Sequence, residues 1–219
     1  MNDLPIDYRT HHVTTTAPLV GFVALSEPQG YQGSEPAYTC KMALPEEEAV
    51  KLKNIIDEAH FHAGDYLNAI AEKFGNRPKL TPAKLRKHAA MPYEPEVDEA
   101  GEETGRTLFK FRQASTQYVK GEKVPFTLPI LDSKRLPMTD TIYSGSEVKI
   151  KFLIKPWFVD SMGLGVSLRP QAVQCVQLVS SFGGSKGDDF DEIPGGYIAK
   201  IANHHSPGLT HEEFEDETL

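Results

Sequence analysis

The sequence predicts a mainly β fold: a small barrel of five or six strands with one long α-helix and a disordered acidic tail. Three observations lead to this prediction. Several short apolar runs are bounded by glycine and proline, as β-strands usually are. The segment 45–74 has the periodicity of a single long helix. The segment 188–219 holds nine acidic residues and one lysine without apolar periodicity, which is typical of a disordered chain.

The predicted strands are separated by turn-forming residues. The first two lie at 18–24 and 37–44, on either side of a loop at 26–36 that is rich in proline and glycine. Further strands are expected at 106–114, 127–131, 147–156 and 164–182. A glycine-rich hinge at 183–187 then ends the barrel domain, 1–187, and the tail 188–219 follows as a separate flexible unit.

The helix has clear signals at both ends. Pro45 opens it, and the glutamates at 46–48 lie at the positive end of its dipole. Apolar residues then repeat with a period of 3.6 as far as Phe74, and we expect Gly75 to end the helix.

The stretch 76–105 has four prolines and an acidic run, and it is predicted to be an irregular excursion with a short helix at 82–88. Five or six strands, one helix and a long excursion fit an oligonucleotide-binding (OB) barrel. Such a barrel offers a curved sheet face to single-stranded nucleic acid.

The predicted strand at 147–156 and the residue that follows it separate apolar from basic side chains. Alternate residues of a strand face opposite ways, so one face carries Val148, Ile150, Phe152 and Ile154. The other face carries Lys149, Lys151, Lys155 and Trp157. The lysines are ~7–13 Å apart along the strand, at about 3.3 Å per residue. That spacing is similar to the phosphate spacing of an extended single strand, and the tryptophan could stack on a base.

The segment 109–112 repeats this pattern, with phenylalanines on one face and Lys110 and Arg112 on the other. Arg169, on a later predicted strand, completes the predicted DNA-binding set. Two interpretations stay open. The basic faces could be ordinary solvated strand faces, and Trp157 could cover the mouth of the barrel, which would leave its neighbour Phe158 as the stacking residue.

The end of the tail combines acidic residues with one aromatic residue. Its sequence is Glu212, Glu213, Phe214, Glu215, Asp216 and Glu217. An aromatic ring among carboxylates resembles a base among phosphates, so this segment could compete for the DNA groove or dock on a partner protein. Acidic ends also occur as simple solubilising segments.

The charge distribution removes an objection to nucleic-acid binding. The tail 188–219 accounts for the whole net charge of −8, so the barrel domain is neutral overall and can still carry basic faces.

Several function classes find no support in the sequence. It contains no phosphate-binding loop, no nucleophile elbow and no H-E-x-x-H motif, so we expect neither enzymatic activity nor a cofactor. His60 and His62 lie two residues apart on the predicted helix and therefore cannot share a metal ion. No apolar run is long enough to span a membrane. A nuclease or other DNA-processing enzyme, or a protein-interaction module, remains the alternative.

The order and spacing of short motifs across 128–199 resemble the single-stranded DNA-binding proteins of T7-type podophages. The motifs include Asp132-Ser133-Lys134, Lys149-x-Lys151, Pro156 followed by an aromatic residue, Phe182-Gly183-Gly184 and Gly196-Tyr197-x-Ala199. The resemblance implies an OB barrel that coats single-stranded DNA without sequence preference during phage replication, recombination and repair. It also implies that Lys149, Lys151 and Trp157 contact DNA.

The same resemblance implies protein partners for the tail, namely the phage DNA polymerase and the helicase–primase. It further implies that the tail shields the DNA groove, and that the protein acts in the cytoplasm of the infected bacterial host. Weak binding to duplex DNA and a homodimer are both left open.

Overall fold

The computed structural model describes residues 12–30, 32–75, 78–119 and 121–179. The predicted hinge and acidic tail lie outside these residues, so the division into domains stays a prediction. The elements in chain order are β1 (His12–Gln29), β2 (Ala37–Pro45), α1 (Glu46–Phe61), α2 (Ala63–Phe74), α3 (Pro82–Leu85), β3 (Tyr93–Val97), β4 (Glu103–Ala114), β5 (Thr116–Val119), β6 (Glu122–Pro125), β7 (Ile130–Leu131), β8 (Glu147–Val159) and β9 (Gly163–Gln177).

Five of these strands form a closed barrel in the order β1-β2-β4-β9-β8. The neighbouring strands are antiparallel except at one seam, where β4 and β9 run parallel and Phe111 pairs with Leu168. Strand β3 lies outside the barrel beside β4, and β7 lies beside β9. The prediction of a mainly β barrel is therefore confirmed, with five strands in the closed ring.

The barrel interior is filled by alternate residues of these strands. Phe109, Phe111 and Phe152 are all at most 1% exposed, and the rings of Phe111 and Phe152 meet edge to face at 5.1 Å. Burial of a side chain of this size contributes about 1.5–3 kcal/mol. The apolar half of each alternating pattern therefore holds the barrel together, which leaves the other half for the surface.

The long helical segment consists of two helices. Backbone angles of φ −86° and ψ −2° at His62 separate α1 from α2, and the nearest glycine, Gly64, lies in the first turn of α2. The segment ends at Gly75, as predicted, where a left-handed φ of 60° lets the Gly75 N–H bond the Ala71 carbonyl at 2.9 Å. The predicted helix at 82–88 is the shorter α3, capped by the Thr81 hydroxyl.

Three regions differ from the prediction. The excursion 76–105 contains β3 and the first residues of β4, whose pairing was hidden by Pro95 and the alternating acids around it. The hairpin of β5 and β6 was not predicted. Strand β1 is longer than 18–24 at both ends and includes Ser26–Gln29, whereas the strand expected at 127–131 is reduced to the two residues of β7.

Two further observations concern membrane-spanning helices and the two cysteines. Among the described residues, no helix is both long and apolar enough to cross a membrane. Cys40 and Cys175 are buried and not joined in a disulfide.

Candidate nucleic-acid interface

The outer face of β8 carries the predicted basic row. Val148, Ile150, Phe152 and Ile154 are buried in the barrel, so the alternate residues Lys149, Lys151 and Lys155 face outward and are exposed. Among the described residues, neither Lys149 nor Lys151 forms a salt bridge. This row is therefore a positively charged strip.

The strands beside β8 place uncharged residues next to Lys149 and Lys151. Lys149 lies between Thr16 of β1 and Gln174 of β9 in the strand register. Lys151 lies between Thr14 and Ala172. Because these cross-strand neighbours are uncharged, the two ammonium groups remain available to an anion.

Trp157 continues the outer face of β8, and its indole lies against the backbone of β9 at Gly165. A Cβ placed on Gly165 would come within 2.6 Å of the indole Cζ2, so only glycine permits this contact. The Trp157 side chain is half-buried, which lies between a fully exposed stacking residue and a residue that covers the mouth of the barrel. Phe158, the alternative stacking candidate, lies on the opposite face of β8 and is half-buried against the barrel core.

The outer face of β4 has the same alternation and a different electrostatic environment. Phe109 and Phe111 are buried, and Lys110 and Arg112 are exposed, as predicted. The Lys110 ammonium, however, donates to Glu94 of β3 at 2.7 Å, and Lys41 of β2 lies 3.5 Å from the other oxygen of that carboxylate. The hydrogen bond from Lys110 holds the pKa of Glu94 below its usual value.

Strand β9 lies between β4 and β8 and carries Arg169. Burial lowers the pKa of Arg169, and the nearby Arg112 guanidinium lowers it further. The Arg169 Nε donates to the Ser167 hydroxyl at 3.4 Å, and that hydroxyl donates to the Lys155 carbonyl at 3.3 Å. Arg169 therefore lies between the basic face of β8 and the basic face of β4, because β9 separates these two strands.

Phe22 of β1 and Tyr118 of β5 are exposed aromatic residues that the sequence analysis did not assign to the interface. Phe22 is 66% exposed because a positive φ of 65° at Gly21 and an irregular β1–β2 register interrupt the alternation of β1. Tyr118 is 75% exposed on the β5–β6 hairpin. The glycine within an apolar strand was the available signal for Phe22.

Among the described residues, no three side chains of His, Cys, Asp or Glu are placed to hold a metal ion. His60 instead contacts His88, with 3.4 Å between its Nε2 and the His88 Nδ1. The six predicted tail residues, 212–217, lie outside the described part of the chain.

Comparison with known sequences gives two matches. Residues 24–179 match the sequence family described as Single-stranded DNA-binding protein, Bacteriophage T7. The chain is also 26% identical over 199 residues to the single-stranded DNA-binding protein of Enterobacteria phage T3, covering 88% of this chain and 84% of that protein.

Solved structures share the fold. The crystal structure of gp2.5, a single-stranded DNA-binding protein encoded by bacteriophage T7, has a TM-score of 0.60 at 24% identity and covers 87% of this chain and 99% of its own. The single-stranded DNA-binding protein from bacteriophage Enc34, in complex with ssDNA, has a TM-score of 0.52 at 16% identity and covers 78% and 89%. The closed five-stranded barrel is thus an OB fold.

Proposed function

The chain belongs to the family of phage T7-type single-stranded DNA-binding proteins, and we propose that its barrel coats single-stranded DNA without sequence preference during phage replication, recombination and repair. The family is typically non-enzymatic. The observation that carries the proposal is the outer face of β8, where Lys149 and Lys151 form no salt bridge with a described residue and point away from an apolar core. We place its action in the cytoplasm of the infected host.

The proposed groove combines charge with a stacking surface. Lys149, Lys151 and Lys155 would contact successive phosphates, since they span ~20 Å along β8 at about 3.3 Å per residue. Trp157 at the end of the row would stack on a base, an interaction worth about 1–3 kcal/mol that tolerates any base. Arg169 and Arg112 would extend the phosphate path across β9 toward β4, and Lys110 joins it only if Glu94 releases it. These contacts read no base edge, which accounts for binding without sequence preference.

Titration of a fluorescent single-stranded oligonucleotide over a range of salt concentrations tests the proposal. With about four phosphates neutralised, the slope of log affinity against log salt should be roughly −3, at about 0.7 per phosphate on single strands. Oligonucleotides of different composition should bind similarly. A slope near zero would exclude the basic face as the site, and a missing signal at low salt would favour a protein-interaction module.

We further propose that the acidic tail competes with DNA and docks the phage polymerase and helicase–primase. It carries the whole net charge of −8, and tethering gives it an effective concentration near the groove on the order of millimolar. Deletion of residues 206–219 should raise DNA affinity several-fold at low salt, and the gain should shrink as salt screens the tail.

Partner binding should change in the opposite direction, because the truncated chain has lost its docking peptide. The variant Phe214→Ala separates the two roles: it should weaken binding to polymerase or helicase–primase while keeping the electrostatic competition. Unchanged DNA affinity after truncation at low salt would reduce the tail to a solubilising segment.

A further inference from the structure

The β8–β9 ribbon, defined here as residues 154–167, extends beyond the strands that flank it in the barrel. The described pairing of β8 with β1 stops at Leu153, and β9 meets β4 at Leu168. The described chain that pairs with the ribbon is the segment 84–89. The Leu164 N–H donates to the Lys87 carbonyl, and the Ala89 N–H donates to the Leu164 carbonyl, both at 2.8 Å.

Two lysines of the 84–89 segment hold the turn at the end of the ribbon. The Lys84 ammonium lies 2.7 Å from the Asp160 carboxylate and 5.5 Å from the centre of the Phe158 ring. The Lys87 ammonium donates to the Ser161 carbonyl at 2.5 Å and to the Asp160 carbonyl at 3.4 Å. Both cations are therefore engaged by the protein itself.

The approach of the segment to the ribbon depends on a glycine. Gly163 has a φ of 99°, and a Cβ there would lie 2.4 Å from the Lys87 carbonyl oxygen. Any other residue would strain its own backbone and push the segment away. The contact is thus specified on both sides, by the lysines of the segment and by the glycine of the ribbon.

The held end of the ribbon is the surface on which Trp157 lies. The indole rests on Gly165, and the adjacent Leu164 makes both main-chain bonds to the segment. Phe158, next to Trp157, packs under Lys84 and against the core. Movement of the 84–89 segment would therefore displace the part of the β9 backbone that the indole contacts.

We propose that the 84–89 segment positions the β8–β9 ribbon and Trp157 for DNA, so that Lys84 and Lys87 are positioning residues and not phosphate ligands. The proposal rests on the proposed function, because it assigns these lysines a role in the same interface. It also gives a role to part of the excursion that lies outside the five barrel strands.

Asp160→Asn distinguishes the two roles by the sign of its effect. If Lys84 positions the turn, loss of the carboxylate should lower affinity for oligo(dT) about two- to fivefold without changing the salt slope, as expected for an exposed ion pair. If Lys84 is a phosphate ligand, the same change frees it and removes a negative charge, so affinity rises and the slope steepens.

The matched control is Glu72→Gln. Glu72 is also an exposed acid paired with one lysine, Lys79, at 3.0 Å, and this pair is not part of the ribbon. The Glu72→Gln variant changes the net charge by the same amount as Asp160→Asn, so its effect on affinity measures the general electrostatic contribution. The positioning role requires Asp160→Asn to lower affinity relative to this control.

Lys87→Met and Lys87→Arg form the second pair of variants. Methionine should lower affinity about five- to tenfold with an unchanged slope, and arginine should restore most of it by donating to the same carbonyls. A slope that falls by about 0.7 in Lys87→Met would instead identify a phosphate ligand. Thermal unfolding of each variant shows whether it is folded at the assay temperature.

Trp157 fluorescence without DNA keeps this test separate from the proposed function. As the chain's single tryptophan, it should shift its emission in Asp160→Asn and Lys87→Met, and not in Glu72→Gln. If wild-type protein does not bind DNA, the proposed function fails while the emission shift still tests the contact. If wild-type protein binds and neither variant differs from the control, the positioning role is wrong.

Discussion

Strands β8 and β4 present the same alternation of apolar and basic residues, and the two outer faces differ in their charge partners. On β8, Lys149 and Lys151 lie among threonine, glutamine and alanine. On β4, Lys110 shares the Glu94 carboxylate with Lys41, and Arg112 donates to the Glu35 carbonyl at 3.4 Å. The difference comes from β3, an edge strand that carries acids to β4, whereas no described strand brings acids beside Lys149 and Lys151 of β8.

This comparison separates two properties that the sequence pattern joins. Alternation decides that a lysine is exposed, because side-chain direction along a strand is local. Whether that lysine is available to a phosphate depends on the charged residues that a segment distant in sequence places beside it. Cations of the two faces should therefore contribute unequally to DNA binding.

The largest expected effect comes from removing the lysines of one face at a time. Lys149→Ala with Lys151→Ala should lower affinity for single-stranded DNA roughly tenfold to a hundredfold and make the salt slope shallower by about 1.4. Lys41→Ala with Lys110→Ala removes the same charge and should change both values much less. Fluorescence anisotropy at several salt concentrations measures both, and equal losses in the two double variants would contradict the distinction.

Trp157 should contribute through stacking rather than charge. Trp157→Ala should cost about 1–3 kcal/mol of binding free energy with little change in salt slope. In the wild-type chain, poly(dT) should quench the Trp157 fluorescence, and Phe22→Ala is a control that retains the fluorophore while removing another exposed ring. Absence of quenching would mean that the indole only covers the backbone of β9.

Glu94→Gln should make β4 resemble β8. Without the carboxylate, Lys41 and Lys110 lose their shared partner, so DNA affinity should rise by about threefold and the slope should steepen. The equivalent change at Glu96, which pairs with Arg106 at 2.6 Å, removes an acid of the same strand and serves as the control. An equal gain in affinity in both variants would show that the effect comes from the loss of one negative charge and not from the release of Lys41 and Lys110.

The smallest expected effect is on stability at low pH. Because Lys110 lowers the pKa of Glu94 in the folded state, the ion pair stabilises the fold above the usual glutamate pKa of about 4.3. This contribution should disappear as pH falls through the lowered value. The difference in unfolding free energy between wild type and Glu94→Gln, measured by urea denaturation, should therefore be constant near neutrality and decrease below about pH 4.

The sequence predicted the parts of the fold that depend on local periodicity. The faces of β8 and β4 and the end of α2 at Gly75 follow from side-chain alternation and backbone preference within a few residues. The break at His62 was not predicted, because the apolar period continues through Ala63 and Gly64 was not read as an interruption. Strand β3 was missed because its pairing energy comes from β4, while its own proline and acids resemble a loop.

The predicted site shows the same division. Lys149, Lys151 and Trp157 were placed on one face by spacing alone. The proximity of Arg112 and Arg169 depends on the seam between β4 and β9, which is formed by residues far apart in the chain. The exposure of Phe22 was not predicted because a bulge changes its direction. The partner of Lys110 was missed because it belongs to an unpredicted strand.

The pairing of β1 with β8 also determines when the barrel can close during synthesis. β1 acquires β2 as a neighbour early, whereas its other edge pairs with residues 147–153. Until the ribosome has released that part of the chain, one edge of β1 presents unpaired N–H and C=O groups. Long-range pairing of this kind is slow compared with helix formation. We therefore expect the nascent chain to carry its helices and an open sheet edge before the barrel closes, and aggregation of that edge would compete with closure.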